Sequence, residues 1–267
     1  IMIINVGFGI LLTSLGAVTV SILPPIMIAL GYSTFAAILL PAIGYDALCT
    51  YALLGIPAVV YAQFIGKPVN EVGMYFAQYM PVISTCIALG MLQLTGGTAM
   101  VRKGLVPALI AGLTAGGIAI LMAQAGLVTI TGIAAGLGVI VALGIYVKLT
   151  GKQVQDRSLL NDADLAAEKR LSLLRATSPW IILTVFSLIL NAPFLPFFDL
   201  TFKQWSMPLD IIPGSPEKLR LFWQAYFWVV VCTFLAPPIM RITVEQLVRR
   251  LKTTAKRAGR PITTASG

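Results

Sequence analysis

Apolar residues run through this chain with few interruptions. Charge-free stretches cover residues 1–45, 47–66, 72–101, 104–147 and 176–198. A helix needs roughly 20 apolar residues to cross a bilayer, so several stretches suffice for one crossing and two suffice for a pair. They are apolar on every face, whereas a membrane strand alternates apolar and polar positions, which argues against a strand barrel. The pattern predicts an all-α polytopic membrane protein. Crossings are expected near 34–63, 74–99, 104–124, 127–147, 176–198 and 221–240, after an apolar segment at 1–30, about six to eight transmembrane helices in all.

Two of these segments are punctuated. Residues 12–25, LTSLGAVTVSILPP, combine Thr13, Ser14, Gly16, Thr19 and Ser21 with the pair Pro24 and Pro25, poor material for an uninterrupted helix. A break or re-entrant hairpin is expected there. Pro41, Gly44, Gly55 and Pro57 fall inside the next crossing, so that helix is expected to be discontinuous near Gly44, within 41–57. Broken backbone at membrane depth is tolerated where it is buried in protein or lines a watery cavity, and transporters bind substrates on such half-helices. The alternative is a pair of kinked packing helices whose glycines permit close approach.

Charge sets the expected topology. One side of the predicted crossings receives Arg102, Lys103, Lys148, Lys152, Arg157, Lys169, Arg170, Arg175 and the basic tail from Arg241 to Arg260. The other receives Lys67, Lys203, Lys218 and Arg220, offset by Glu71, Asp199, Asp210 and Glu217. The basic side is expected to be cytoplasmic. The net charge of +9 then follows from topology and the anionic inner leaflet, and no nucleic-acid partner is implied.

The expected organisation is a transmembrane region over 1–150, a cytoplasmic loop over 151–175, a transmembrane pair over 176–240 and a basic connector over 241–267. Within the loop, 162–175 reads as a short surface helix, with Ser178 and Pro179 suited to the cap and first turn of the next crossing. In the tail, Val244, Leu247, Val248, Leu251 and Ala255 share one helical face while Glu245, Arg249, Arg250, Lys252 and Lys256 take the other. This is an interfacial amphipathic pattern, fitting lipid headgroups or a regulatory partner. Residues 199–220, with Pro208, Pro213 and Pro216, read as an outer loop.

Composition agrees: 58% hydrophobic and 11% charged residues and a mean hydropathy of +0.90 lie outside the soluble range of about 25% charged. Cys49, Cys86 and Cys232 stand alone in apolar surroundings, so no disulfide framework, metal site or cofactor is indicated. Histidine is absent. Without it, and without paired intramembrane carboxylates, a membrane enzyme is disfavoured. Both ends of the chain read as cuts through a longer protein.

Local wording and its order carry a resemblance. LLGIP at 53–57, GKP at 66–68 followed by Glu71, the stretch from Gln78 to Pro81 and that from Arg175 to Pro179 resemble bacterial L-lactate permeases. The resemblance implies a central portion of an inverted-repeat secondary transporter in the bacterial plasma membrane, importing a lactate- or glycolate-like monocarboxylate with protons. In the first punctuated segment, LTSLGAVTVSILPP lacks the acidic residue and the Gly-Phe-Gly of the family, so a carrier of a different small organic anion fits as well. A structural subunit of a membrane complex is the other alternative.

Asp46 is the only formally charged side chain between Ile1 and Gly66. A carboxylate at membrane depth is costly and marks function by default. Removal from water favours the neutral carboxyl, which suits a proton-coupling residue. Capping the second half of a broken helix would instead favour the ionised form. Both readings stand at this point. The substrate-binding candidates are Thr13, Ser14, Gly16, Thr19 and Ser21 at the first break, with Gly44, Tyr45 and Thr50 at the second. In the absence of Lys or Arg at that depth, half-helix N-termini would hold the anion.

Overall fold

Helices α1 (Ile3–Ser14), α2 (Thr19–Ala29) and α3 (Thr34–Gly44) open the chain, in a computed structural model that describes residues 1–17, 19–151, 173–192, 195–212, 215–240 and 242–266. The side chains of residues 20, 21, 29, 46, 173–176, 209–218 and 256–266 lie outside that description. The first half of α1, Ile3–Phe8, is wound as a π-helix. Gly16, at φ +81°, ends α1. Its N–H donates to Thr13 O at 3.1 Å, and that of Ala17 donates to Leu12 O at 2.8 Å. This is the Schellman closure that a left-handed glycine permits. Gly31 closes α2 in the same way, as Gly66 and Gly126 close the helices that end at Phe64 and Gln124. The break is therefore set by Gly16, whereas Pro24 and Pro25 lie inside α2.

Ser33 caps α3, its Oγ accepting from Ala36 N at 3.2 Å. Beyond Gly44 the chain tightens into a 3₁₀ stretch, Tyr45–Tyr51, interrupted at Leu48 (φ −142°, ψ 35°). Helix α4 (Ala52–Phe64) begins with Leu53, Leu54 and Gly55 at φ +53°, +60° and +76° before turning right-handed. The discontinuity expected within 41–57 is thus present, and it continues past Gly44 to Gly55.

Helix α5 (Val69–Gln124) folds back on itself at Gly96 and Gly97, where helical geometry is lost. Its arms, 69–95 and 98–124, lie antiparallel. A Cβ on Gly112 would overlap Thr85, and one on Gly116 would overlap Pro81. Such small-residue contacts let membrane helices approach closely. The reversal thus falls a few residues before the interval left between the expected crossings 74–99 and 104–124, because two successive glycines supply it, and Arg102 and Lys103 lie on the returning arm. Helix α6 (Thr131–Leu149) follows a short 3₁₀ turn, Val128–Ile130, and packs on both α5 and α1.

Helix α7 runs unbroken over Leu173–Asn191 through Ser178 and Pro179, which are interior rather than capping. The surface helix expected over 162–175 lies outside the described residues except for its last three. In the expected outer loop, a π-turn (Asp199–Gln204) leads to an antiparallel hairpin of β1 (Met207–Ile212) and β2 (Ser215–Leu219). Pro208 fits because a two-stranded ribbon has only edge strands. Helices α8 (Ala225–Met240) and α9 (Val244–Ser266) complete the chain.

One buried cluster joins α1, α3, α5 and α6, and a second gathers Leu11, Leu15, Leu54, Val59, Ile133, Leu183 and Trp223. Outward faces remain apolar, with Leu94, Leu113 and Leu121 of α5 and Val141 and Ile145 of α6 exposed. Three apolar segments, Ala47–Phe64, Val69–Gln124 and Val128–Leu149, have the length and composition to cross a membrane. This is an all-α membrane-integral architecture with one small hairpin among the described residues.

Candidate functional site

The two breaks meet. A cavity of about 350 Å³ is lined by Thr13, Gly16, Ala17 and Thr19 from the first and by Tyr45, Cys49, Ala52, Leu53 and Pro57 from the second. Contacts on either side fix this meeting. A Cβ on Gly44 would come within 2.5 Å of Asn5 O, so α1 and α3 cross in backbone contact. A Cβ on Gly16 would lie 3.1 Å from Leu53 Cδ2 and 2.8 Å from Ala225 Cβ. The tip of the first break is thereby seated on the second break and on the start of α8.

Hydrogen bonds to α5 hold the irregular stretch. Ser84 Oγ of α5 donates to Ala47 O at 2.8 Å, the kind of donor that a carbonyl of a broken helix needs when no water is at hand. Tyr51 Oη donates from the stretch to Gly73 O of α5 at 2.6 Å. The direction of the chain also changes here. Tyr51 bonds Gly73 and Tyr61 rests its ring on Phe76 at 5.5 Å, so ten residues of chain advance only three residues along α5. The left-handed turn at Leu53–Gly55 produces that change.

Thr13 is the telling polar group. Thr85, Thr95, Thr131, Thr184 and Thr201 each donate the hydroxyl to the carbonyl four residues back, the usual outlet for a helical threonine. Thr13 Oγ1 is buried and has no partner among the described residues, yet Thr13 lines the cavity. Thr19, the first residue of α2, lines it too. Thr19 thus brings the start of an eleven-residue helix to the wall of this space. No lining residue among the described ones carries a formal charge. The lining combines hydroxyl-bearing Thr13, Thr19 and Tyr45 with apolar Ala17, Ala52, Leu53 and Pro57.

Four of the candidates named from sequence, Thr13, Gly16, Thr19 and Tyr45, are brought together at this cavity. Ser14 is not: it is buried, its Oγ donates to Ile10 O at 2.8 Å, and it occupies the space left by Gly132 on α6. Gly44 serves the crossing with Asn5, and Thr50, half-buried on the 3₁₀ stretch, is absent from the lining. The side chains of Ser21 and Asp46 lie outside the described residues, although the backbone of Asp46 falls between the lining residues Tyr45 and Cys49. Sequence reasoning missed Ala17, Cys49, Ala52, Leu53 and Pro57. It also missed Asn5, fully buried in the π-wound part of α1 with its Oδ1 unpartnered.

A second cavity of about 320 Å³ is lined by Asn70, Leu127, Thr129, Asn191, Phe198 and Phe202, among others. It gathers none of the substrate or coupling candidates.

A family model described as L-lactate permease matches residues 1–266. No curated protein and no solved structure matches the chain. The chain does hold a Gly-Phe-Gly, at residues 7–9 within α1 rather than in the turn that follows.

Proposed function

Because the chain belongs to the L-lactate permease family, we propose that it binds a small 2-hydroxy monocarboxylate, lactate or glycolate, between its two broken segments and moves it across the membrane with a proton. Family membership makes it a membrane-integral lactate-type transporter. The observation that carries the site is the cavity to which both breaks contribute, walled in part by Thr13, whose hydroxyl is buried and unpartnered among the described residues.

The chemistry follows from the wall. The carboxylate accepts from Thr13 Oγ1 and from the first-turn N–H groups of α2. Charge-assisted bonds of this kind are roughly twice as strong as neutral ones. Ala17, Ala52, Leu53 and Pro57 receive the methyl end. With no cation among the described lining residues, we assign removal of the second charge of a substrate–Asp46 pair to a proton carried by Asp46.

Uptake into liposomes holding the complete protein tests this reading. Lactate is expected to accumulate when an inward proton gradient is imposed, and lactate or glycolate is expected to slow alkylation of Cys49, which lines the cavity. Accumulation that ignores the proton gradient would remove the coupling. Cys49 alkylation that proceeds at the same rate with and without saturating lactate would move the site elsewhere. Preferential uptake of another small organic acid would assign the carrier to that anion instead.

A further inference from the structure

Leu53, Leu54 and Gly55 form three consecutive left-handed residues. Only glycine adopts that region without steric cost, so two leucines there are held by their surroundings. Those surroundings are specific. Leu54 is 1% exposed and belongs to the buried cluster of Leu11, Leu15, Val59 and Ile133. Gly55 lies against the Val128 carbonyl and Thr129 Cα, where an added Cβ would be 3.1 and 3.3 Å away. Leu53 reaches from the turn into the cavity wall and touches Gly16 at the tip of the first break.

We infer that Leu53 and Leu54 are positioning residues for the transport step: their left-handed turn is a hinge that holds Leu53 across the cavity against Gly16, and its return to right-handed backbone withdraws Leu53 and swings the rest of α4. The inference rests on the cavity being the substrate site. The hinge has the features that a two-state element requires. Strain at two leucines opposes the turn, while burial of Leu54 supports it, so neither winding dominates by a wide margin. The conversion changes what the cavity touches, because Leu53 is the side chain that links the broken α3–α4 segment to the first break. It also displaces a long lever. Residues 56–64 follow the turn, so the conversion repacks buried Ala58, Val59 and Ala62 and carries Phe64, 80% exposed at the far end, with them.

Substitutions at position 53 should bias the hinge in opposite directions. Leu53→Gly removes the cost of positive φ and favours the left-handed winding by about 5- to 30-fold. Leu53→Ile introduces a β-branched side chain, for which positive φ is a severe outlier, and favours the right-handed winding. Leu53 is only partly buried, which makes both variants tolerable for folding.

The test is a distance distribution between spin labels on the complete protein. Labels are placed at residue 64 on α4 and residue 79 on α5, with Cys49, Cys86 and Cys232 replaced. Two populations are expected whose ratio shifts with lactate. Leu53→Gly should raise the population that matches the present structure, and Leu53→Ile should lower it. A general loss of stability would move both variants the same way, so shifts in the same direction overturn the hinge. A single distance that neither lactate nor either variant alters also overturns it. Failure of lactate to protect Cys49 would instead remove the substrate-site reading, leaving the label distances to judge the hinge alone.

Discussion

Replacing Thr13 by valine should make the empty protein more stable and the loaded one less so. The Thr13 hydroxyl is buried without a partner, and a buried hydroxyl left unsatisfied costs about 1–3 kcal/mol. Valine has nearly the same shape and the same β-branched rotamer preference, so the substitution removes the penalty without opening a hole. The substrate-free variant is therefore expected to gain up to about 1–3 kcal/mol. Binding should respond with the opposite sign. A hydrogen bond to a charged group contributes about 1.5–3 kcal/mol, or roughly 10- to 150-fold in affinity. At lactate equal to 100 times the unmodified dissociation constant, ligand binding stabilises the parent by about 2.7 kcal/mol. A 100-fold weaker variant gains only about 0.4 kcal/mol at the same concentration. Unfolding of the purified protein with and without lactate measures both quantities, and Thr13→Ser, which retains a hydroxyl, should keep most of the ligand effect. A Thr13→Val protein that is less stable than its parent when empty and equally stabilised by lactate would refute the reasoning.

Further outcomes follow from packing and charge. Gly44→Ala should destabilise despite alanine's helix preference of about 1 kcal/mol, because its Cβ would press on Asn5 O at 2.5 Å and overpacking costs about 1–3 kcal/mol. Gly90→Ala, with nothing within 4 Å of the new Cβ, should be neutral or stabilising, and unfolding curves that rank the two in reverse would remove the contact argument. Cysteines substituted for Lys103, Lys152 and Arg250 should be shielded from an impermeant external reagent that labels positions 67 and 203, and labelling at 152 from outside would overturn the proposed topology. Helix α9 starts with a capping box, Thr243 N donating to Gln246 Oε1 at 3.2 Å and Gln246 N to Thr243 Oγ1 at 3.4 Å. It exposes Val244, Val248 and Leu251 on its apolar face and Arg249, Arg250 and Lys252 toward the other. Exchanging those three basic residues for glutamine should lift a fluorophore at position 251 out of anionic bilayers, at about 1 kcal/mol per charge near the surface, and an unchanged depth would show that lipid charge does not hold it.

Some of this architecture was legible because composition enforces it. Apolar runs of the required length leave few choices, and a glycine within LTSLGAVTVS signals a helix end that the backbone then adopts at Gly16. The prolines were poorer guides. Proline removes one donor and crowds the preceding turn, but α2 accommodates Pro24 and Pro25, whereas the hydrogen-bond closure at Gly16 dictates where the chain reverses. The reversal between the expected crossings 74–99 and 104–124 falls slightly early for a related reason, since charge at Arg102 and Lys103 marks the water interface while the reversal itself uses the flexibility of Gly96 and Gly97. Choosing between Thr13 and Ser14 required the fold. Neighbours on a helix point about 100° apart, and only the presence of Gly132 on α6 shows that Ser14 faces a neighbouring helix while Thr13 faces the cavity. The left-handed leucines had no local signal at all, because leucine disfavours positive φ. Their conformation is imposed by the cluster around Leu54 and by the backbone of Val128 and Thr129.

The two readings of Asp46 become one when charges in the site are counted over a transport cycle. On the proposed coupling, an ionised Asp46 would supply the empty carrier's one negative charge to the backbone N–H groups of the broken segments. In the loaded carrier the substrate carboxylate would supply that charge and a proton would neutralise Asp46. The N–H groups would then face one negative charge in both states, which suits a wall without Lys or Arg among its described residues. Capping and coupling are successive states of the same residue on this account. Two uncompensated carboxylates at such depth would be far costlier, since even one charged side chain at the membrane centre costs about 2.5–3.5 kcal/mol on insertion scales. Asp46→Asn fixes the loaded-like charge count permanently, because asparagine retains a capping oxygen but carries no proton. The variant should bind lactate and exchange it across the membrane, with an affinity that no longer depends on pH, while losing accumulation driven by a proton gradient. Full proton-driven accumulation by Asp46→Asn would confine Asp46 to the cap and assign the proton to another group.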